Sequence, residues 1–465
     1  MSLGNLDNIA DLLGGAVKQA EKSTKLTSVF QNKRLDGTKV RSTGLLYLDY
    51  LMGGGIPSGK IIGISSDEHM GKSALMAEMT WEQLQDGGFT VYFDGEGTQD
   101  PVFLGKRGIN YQAYRGKRNK NGDLIPGQRD KVWFYQPHTG DQFKKYIHML
   151  CTSLPENREL QKPPLIFGLD SALSIVSSAI SEDIDSNNTA MHAIMYSNLL
   201  PIVNASLLRS GASLVYTNQL REDVGAGFKG MGDTKYEPGG KALQFYSSCR
   251  IRLQKSKAKR NNGLDDHPFH DDFIPDIKPK AGGVWEEGTS VEKDSNIDRS
   301  IIVQFKTIKN KFYTPFKVGY YRIVFESAGE TGYGFCPVFD IFSTLLEMGL
   351  IVKAQNKKTY KLNLDDRTKE ISKWLPEVFD YYTLKAAILA HDKRELVQAI
   401  RRITIESGWA YEGVAVVTSP EEEFDPETGE IIEAVATVPS PMGAPPVPGA
   451  PPVPGMGIMN KGKRQ

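Results

Sequence analysis

The sequence predicts an α/β protein: a core with a mostly parallel sheet and an antiparallel end, then a small α+β carboxy-terminal domain and a disordered tail. Three observations predict it. Short β-branched and aromatic runs alternate with helical periodicity between residues 41 and 325, the pattern of helices packed on a parallel sheet. Residues 66–73, S-D-E-H-M-G-K-S, fall between one such run and one such helix. After Ser419 the apolar periodicity gives way to acids and proline.

In chain order, residues 1–35 hold an amphipathic helix with Leu6, Ile9, Leu12, Leu13 and Val17 on one side, which fits either a cap on the core or an arm that docks on a neighbouring copy. The core is assigned to residues 36–328. Its run 60–65 is short, β-branched and unbroken, as a buried strand is, and 74–85 then follows helical spacing until Gly87 and Gly88 stop it. Further strands are expected at 89–93, 165–169, 213–217, 249–253, 301–305 and 320–325. Residues 329–415 read as a small second domain, with helical patterns at 338–348 and 384–403. In 416–465, Glu421, Glu422, Glu423, Asp425, Glu427, Glu430 and Glu433 precede two copies of A-P-P-V-P-G, at 444 and 450, so this tail is expected to be disordered or polyproline-like.

Composition narrows the function. Cys151, Cys249 and Cys336 are far apart and lack metal-type spacing, which argues against a disulfide framework or zinc site. No apolar run is long enough to span a bilayer, and the acidic start with Asp7 and Asp11 is not a secretory signal, so a cytoplasmic protein without a membrane partner is expected. Lysine plus arginine equals aspartate plus glutamate at 56 each, so any nucleic-acid binding must be local.

The phosphate-loop pattern supplies the chemistry. Backbone N–H groups along Ser66, Asp67, Glu68, His69, Met70, Gly71, Lys72, Ser73 and Ala74 can cradle phosphate oxygens, Lys72 neutralises the β and γ phosphates, and Ser73 offers its hydroxyl to Mg²⁺. A nucleotide with Mg²⁺ is therefore the expected ligand pair at this loop. One position departs from the pattern: Ser66 stands where it has a glycine, which predicts a strained or missing loop conformation. Hydrolysis also needs carboxylates at strand ends. Asp170, after P-L-I-F-G-L, suits the metal side, and Glu96, in F-D-G-E-G, suits orientation of the attacking water. Taken singly, each of these also fits an ordinary strand end or helix cap.

At this point the chain resembles the RecA recombinase family. Ser42-Thr-Gly-Leu-Leu-Tyr-Leu-Asp, closing on Gly53-Gly-Gly-Ile-Pro-Ser-Gly, looks like that family's entry to its phosphate-loop strand. Asp94-Gly-Glu-Gly-Thr-Gln-Asp-Pro resembles D-A-E-H-A-L-D-P, Gln136-Pro-His-Thr-Gly-Asp-Gln resembles Q-P-D-T-G-E-Q, and Asn218-Gln-Leu-Arg resembles N-Q-I-R. Gly239-Gly-Lys-Ala-Leu-Gln-Phe-Tyr is similar to G-G-N-A-L-K-F-Y, and Lys309-Asn-Lys with Pro315-Phe-Lys to K-N-K with A-P-F-K. The blocks keep order and approximate spacing from residue 41 to about 350. Two insertions, near 111–132 and 256–297, depart from the family, as do the arm and tail, which suggests a divergent, phage-type member.

The resemblance implies a RecA-like P-loop nucleotide-hydrolase core, makes the nucleotide ATP, and implies a DNA-dependent ATPase that forms a helical homo-oligomeric filament on single-stranded DNA. It would pair that strand with homologous duplex DNA and exchange strands, helped by loading or single-strand-binding proteins. It makes Glu96 the catalytic glutamate, sets Asp100 and Phe103 beside the adenine, and sends Lys309 and Lys311 to the γ phosphate of an adjoining protomer. Gln219 would sense that phosphate. Residues 221–240 would be the second DNA loop, with Arg221, Phe228, Lys229, Gly239 and Gly240 as contacts, and 181–192 the first, though it is acidic here.

Outside the resemblance, Arg115, Lys117, Arg118, Lys120, Arg129 and Lys131 flank the turn signal Asn121-Gly-Asp and are read as an accessory DNA patch. His267, His270, Asp271 and Asp272 could hold a metal but read more simply as a polar loop. Two other functions fit the same core: a ring-shaped helicase or branch-migration motor, and an ATP-switched DNA scaffold without turnover.

Overall fold

The computed structural model describes residues 40–97, 99, 104–105, 108–153, 165–177, 189–222, 235–255, 277–279, 285–287, 298–326, 334–354, 359–363, 368–390 and 393–406. All belong to one compact unit within residues 1–416. The expected arm at 1–35, the tail at 416–465, Asp100, Phe103, Phe228, Lys229 and the His267 to Asp272 cluster lie outside the described residues.

The chain enters as β1 (Val40–Arg41), α1 (Leu46–Met52) and β2 (Ile56–Pro57), then runs through β3 (Ile61–Ser66), α2 (Lys72–Gln85), β4 (Phe89–Asp94), β5 (Val132–Tyr135), α3 (Gly140–Ser153) and β6 (Leu165–Asp170). It continues as α4 (Thr189–Ser210), β7 (Ser213–Gln219), β8 (Arg221–Glu222), β9 (Lys235–Tyr236), α5 (Gly240–Tyr246) and β10 (Cys249–Lys255). Then follow β11 (Ile277–Pro279), β12 (Trp285–Glu287), β13 (Asp298–Asn310), β14 (Val318–Glu326) and β15 (Gly334–Phe335). The last described part holds α6 (Pro337–Glu347), β16 (Ile351–Lys353), β17 (Tyr360–Leu362), β18 (Val378–Phe379), α7 (Tyr381–Ala390) and α8 (Lys393–Glu406).

Strands β10, β3, β7, β6, β4 and β5 lie side by side in that order and are parallel, while β13 and β14 continue the sheet antiparallel beyond β10. The central strands are buried on both faces, so they read as continuous apolar runs rather than alternating ones. Alternation reappears in which layer each residue joins. Ile62, Ile64, Tyr92, Ile166 and Val215 pack with Leu75, Met76 and Met79 of α2, whereas Ile61, Val91, Phe93, Phe167, Leu169, Leu214 and Tyr216 pack with α3 and α4. The first of these clusters runs on without a break through α6 to Ile403 of α8.

Two local expectations are corrected. The helical pattern at 384–403 is divided between α7 and α8. Ser66 is not strained: the left-handed non-glycine residues among those described are His69 and Phe316. Ser66 instead closes β3 in ordinary strand pairing, opposite Gln219 and Leu253, and its carbonyl accepts the Leu220 N–H at 2.9 Å.

Candidate functional site

Because β3, β7, β6 and β4 are parallel, their carboxyl ends share one edge, where α/β sheets bind ligands. The loop after β3 leaves this edge and turns into α2 at Gly71, whose φ of 77° and a Cβ that would lie 2.5 Å from Ile323 Cδ1 require glycine. No side chain caps α2, and its first turn holds no acid. Its first N–H groups are therefore left to an external anion, with the helix dipole favouring negative charge.

Lys72 folds back over the loop. Its Nζ donates to Asp67 O at 2.6 Å, Ser66 Oγ at 3.0 Å and Ser66 O at 3.2 Å, three neutral oxygens. Burial lowers its pKa, against the opposing charges of Asp170 and Glu96. An anion reaching the loop would meet a cation whose hydrogen-bond acceptors carry no charge, which is how the residues fit a polyphosphate. Ser66, in the position expected of glycine, uses its buried hydroxyl to accept from Lys72 and to donate to Asp67 O at 2.6 Å.

Asp170 ends β6 and is 1% exposed. Its Oδ1 accepts from Thr217 Oγ1 at 2.6 Å, and its Oδ2 accepts from Gln99 Nε2 at 3.3 Å and Tyr92 OH at 3.4 Å. Burial pushes its pKa up, the Thr217 and Ser73 hydroxyls pull it down, and the charges of Glu96 and Asp94 push it up again. Ser73 and Asp170 therefore meet, and Glu96, exposed on the turn after β4, lies within electrostatic reach of both Asp170 and Lys72. Oxygen donors of this kind suit Mg²⁺. Mg²⁺ is commonly held by one or two protein oxygens together with substrate phosphates and water, a set that Ser73 and Asp170 would complete with a bound nucleotide.

Gln219 stands at the end of β7 directly across from Ser66. Lys309 and Lys311 do not join this group. Lys309 pairs with Arg250 and Arg250 with Gly63, so the register places Lys309 two strands from β3 and short of its phosphate-loop end. Its Nζ donates to the carbonyls of Gln244 at 2.7 Å and Phe245 at 3.0 Å, at the end of α5, and Lys311 sits 5.8 Å from the centre of the Phe245 ring. Phe245 is 68% exposed.

Of the expected DNA contacts, Arg221 is exposed in β8. Gly239 and Gly240 have φ of 95° and 81°, and a Cβ on either would lie 2.5–2.6 Å from Leu243 or Ala193. Their need for glycine is thus fully explained by the turn into α5 and its packing on α4. In the basic insertion Arg118 is engaged by Asp130 at 2.6 Å, beside a cavity of 620 Å³ lined by Arg115, Tyr111, Phe134 and Tyr135 and reaching Asp94.

Several residues of the site went unnoticed in the sequence. Asp94 faces Asp170 in register, and its Oδ2 accepts the Gln99 N–H at 3.1 Å; its place at the end of the run 89–93 was the available signal. Thr217 and Tyr92 have none, since their contacts to Asp170 arise from strand order, while Gln99 reaches it from the loop after β4, inside the block that begins at Asp94.

A family model for the RecA N-terminal domain matches residues 11–123 and 127–267. Protein RecA of Streptococcus mutans serotype c is 26% identical over 377 residues, covering 79% of this chain and 82% of that one. For Protein RecA of Streptococcus gordonii the values are 25% over 393 residues, 81% and 86%, and for that of Streptococcus pyogenes serotype M1, 26% over 385 residues, 81% and 85%.

Proposed function

The chain belongs to the RecA family as a divergent member, and on that footing we propose that it is a DNA-dependent ATPase acting in recombination and repair. It assembles as a helical filament on single-stranded DNA and promotes homologous pairing and strand exchange. The observation that carries this reading is the division of the cations. Lys72 lies at the phosphate loop beside Ser73, Asp170 and Glu96, while Lys309 and Lys311 are held two strands away beside an exposed Phe245. A site split in this way is completed by a second copy.

ATP with Mg²⁺ supplies the phosphoanhydride bond that is cleaved. The N–H groups at the start of α2 and the Lys72 ammonium would hold its phosphates, and Ser73 with Asp170 would hold the metal. Glu96, solvent-facing yet close to Asp170, orients water and takes its proton. Gln219, across from Ser66, joins the phosphate loop to the chain that continues toward DNA. Lys309 and Lys311 of the neighbouring copy stabilise charge in the transition state, a contribution worth about 10³–10⁵ in rate when supplied in trans.

The test is phosphate release with and without single-stranded DNA for the unaltered chain, Lys72→Ala and Lys309→Ala. Strong stimulation that both variants lose is expected. Absence of turnover in every sample would transfer the reading to an ATP-switched scaffold, and closed hexamers in place of open helices would transfer it to a ring motor.

A further inference from the structure

After Gln219 the chain forms the short ladder of β8 and β9, pairing Arg221 with Tyr236 and Glu222 with Lys235, and re-enters the fold at Glu237. Two contacts tie the foot of this hairpin to the phosphate loop. Lys235 Nζ donates to Asp67 Oδ2 at 2.7 Å, and Asp67 is the first residue after β3. Glu237, 6% exposed, accepts from Ser65 Oγ at 2.7 Å and pairs with Arg250 at 2.8 Å. Asn218 Nδ2 donates to Pro238 O at 2.8 Å and fixes the next residue of the foot. Arg250 also stands opposite Lys309 in the β10–β13 ladder.

The two contacts differ in kind. The Lys235 and Asp67 side chains are 33% and 47% exposed, so their ion pair is weak and can open. The side chains of Glu237 and Arg250 are 4% and 15% exposed, and withdrawing either would strand a buried charge, so that pair holds. One contact is thus a latch and the other a pivot, and both are anchored at the end of the phosphate-loop strand.

We propose that Asp67 and Lys235 are positioning residues that couple the phosphate loop to the hairpin, the pair opening or closing with the loop's occupancy while Ser65, Glu237 and Arg250 hold the foot in place. The proposal rests on the reading of this chain as an ATP- and DNA-binding protein. Coupling of this type is reciprocal: what nucleotide does to DNA affinity, DNA does to nucleotide affinity.

The test uses the full chain, with nucleotide binding measured separately so that every variant is saturated. First, amide hydrogen exchange at Lys235 and Tyr236 is followed with and without a non-hydrolysable ATP analogue and Mg²⁺, in the absence of DNA. The unaltered chain should change its exchange at least about fivefold, Lys235→Ala and Asp67→Asn should not, and the exchanged pair Asp67→Lys with Lys235→Asp should regain the response. Second, the ratio of single-stranded DNA Kd values without and with the analogue should fall toward one in Lys235→Ala. No exchange response in the unaltered chain overturns the latch. So does a Lys235→Ala variant that weakens DNA binding equally with and without the analogue, because the lysine then merely touches a DNA phosphate. An exchange response in a chain that binds no DNA upholds the latch and sinks the DNA reading instead.

Discussion

Lys309 is held where a charge is uncomfortable. Burial, aided by the nearby charges of Lys311 and Arg250, brings its pKa down from 10.5 to about 8. A role as transition-state cation needs the proton, so kcat/KM for ATP in the presence of DNA should decline as pH rises through about 8. Lys309→Arg should carry the decline to higher pH, because guanidinium stays charged; an unshifted alkaline limb would remove Lys309 from the reaction. Stability has the opposite sign. The native chain gives up this proton near pH 8 and the unfolded chain near 10.5, so the unfolded state binds more protons across that window and the contribution to stability rises with pH. At this scale the phosphate loop was legible in the sequence because its chemistry is contiguous from Ser66 to Ser73. Whether Ser66 could replace glycine was not legible, because the answer lies in the pairing of β3 with β7 and β10 and in the Lys72 contact. Glu237 and Lys235 were hidden for the same reason: their partners Ser65 and Asp67 come from a distant part of the chain.

Among the elements, α8 is fastened to the core by Arg401. Its Nη2 lies 3.0 Å from Asp49 Oδ2 in α1 and also bonds Ser42 Oγ, and its Nη1 lies 3.6 Å from Glu82 in α2. Asp49 further accepts the Thr43 N–H at 2.7 Å and the Ser42 hydroxyl at 2.8 Å, yet burial outweighs these and pushes its pKa up to about 6. The native chain thus keeps a proton that the unfolded chain releases near 3.8, and stability falls as pH rises from about 4 to 6. Arg401→Ala would strand the Asp49 charge, so urea unfolding at pH 8 should show a loss of about 3 kcal/mol. At pH 5, where Asp49 is neutral, the loss should be clearly smaller. An equal loss at both pH values would mean that the arginine contributes packing and not charge. The strands around this region were readable because both-face burial leaves unbroken apolar runs, as in the 60–65 segment that became β3. Where α7 gives way to α8 was not readable, since apolar spacing carries across the join, and neither was the lateral order of the strands, which no local pattern encodes.

For the whole molecule, the register of the sheet poses a question of stoichiometry. Lys72 and Lys309 cannot be brought to one phosphate within a chain that keeps β3, β10 and β13 in their observed pairing, because Lys309 lies two strands across and short of the strand end. If both lysines are needed, each working site takes its phosphate loop from one copy and Lys309 from the next, through a head-to-tail contact of the kind that builds open helices. Lys72→Ala and Lys309→Ala would then be defective for different reasons and should complement each other. In a one-to-one mixture, half of the contacts offer an intact phosphate loop and half an intact Lys309, so about a quarter of sites carry both. DNA-stimulated phosphate release should therefore return to roughly that fraction of the unaltered rate, although each variant alone is silent. Recovery should also fade on dilution, since mixed sites exist only while copies are in contact. A mixture that stays as inactive as its components, while electron microscopy shows co-assembled filaments, would place both lysines in service of the same copy and would require the sheet edge to rearrange before catalysis.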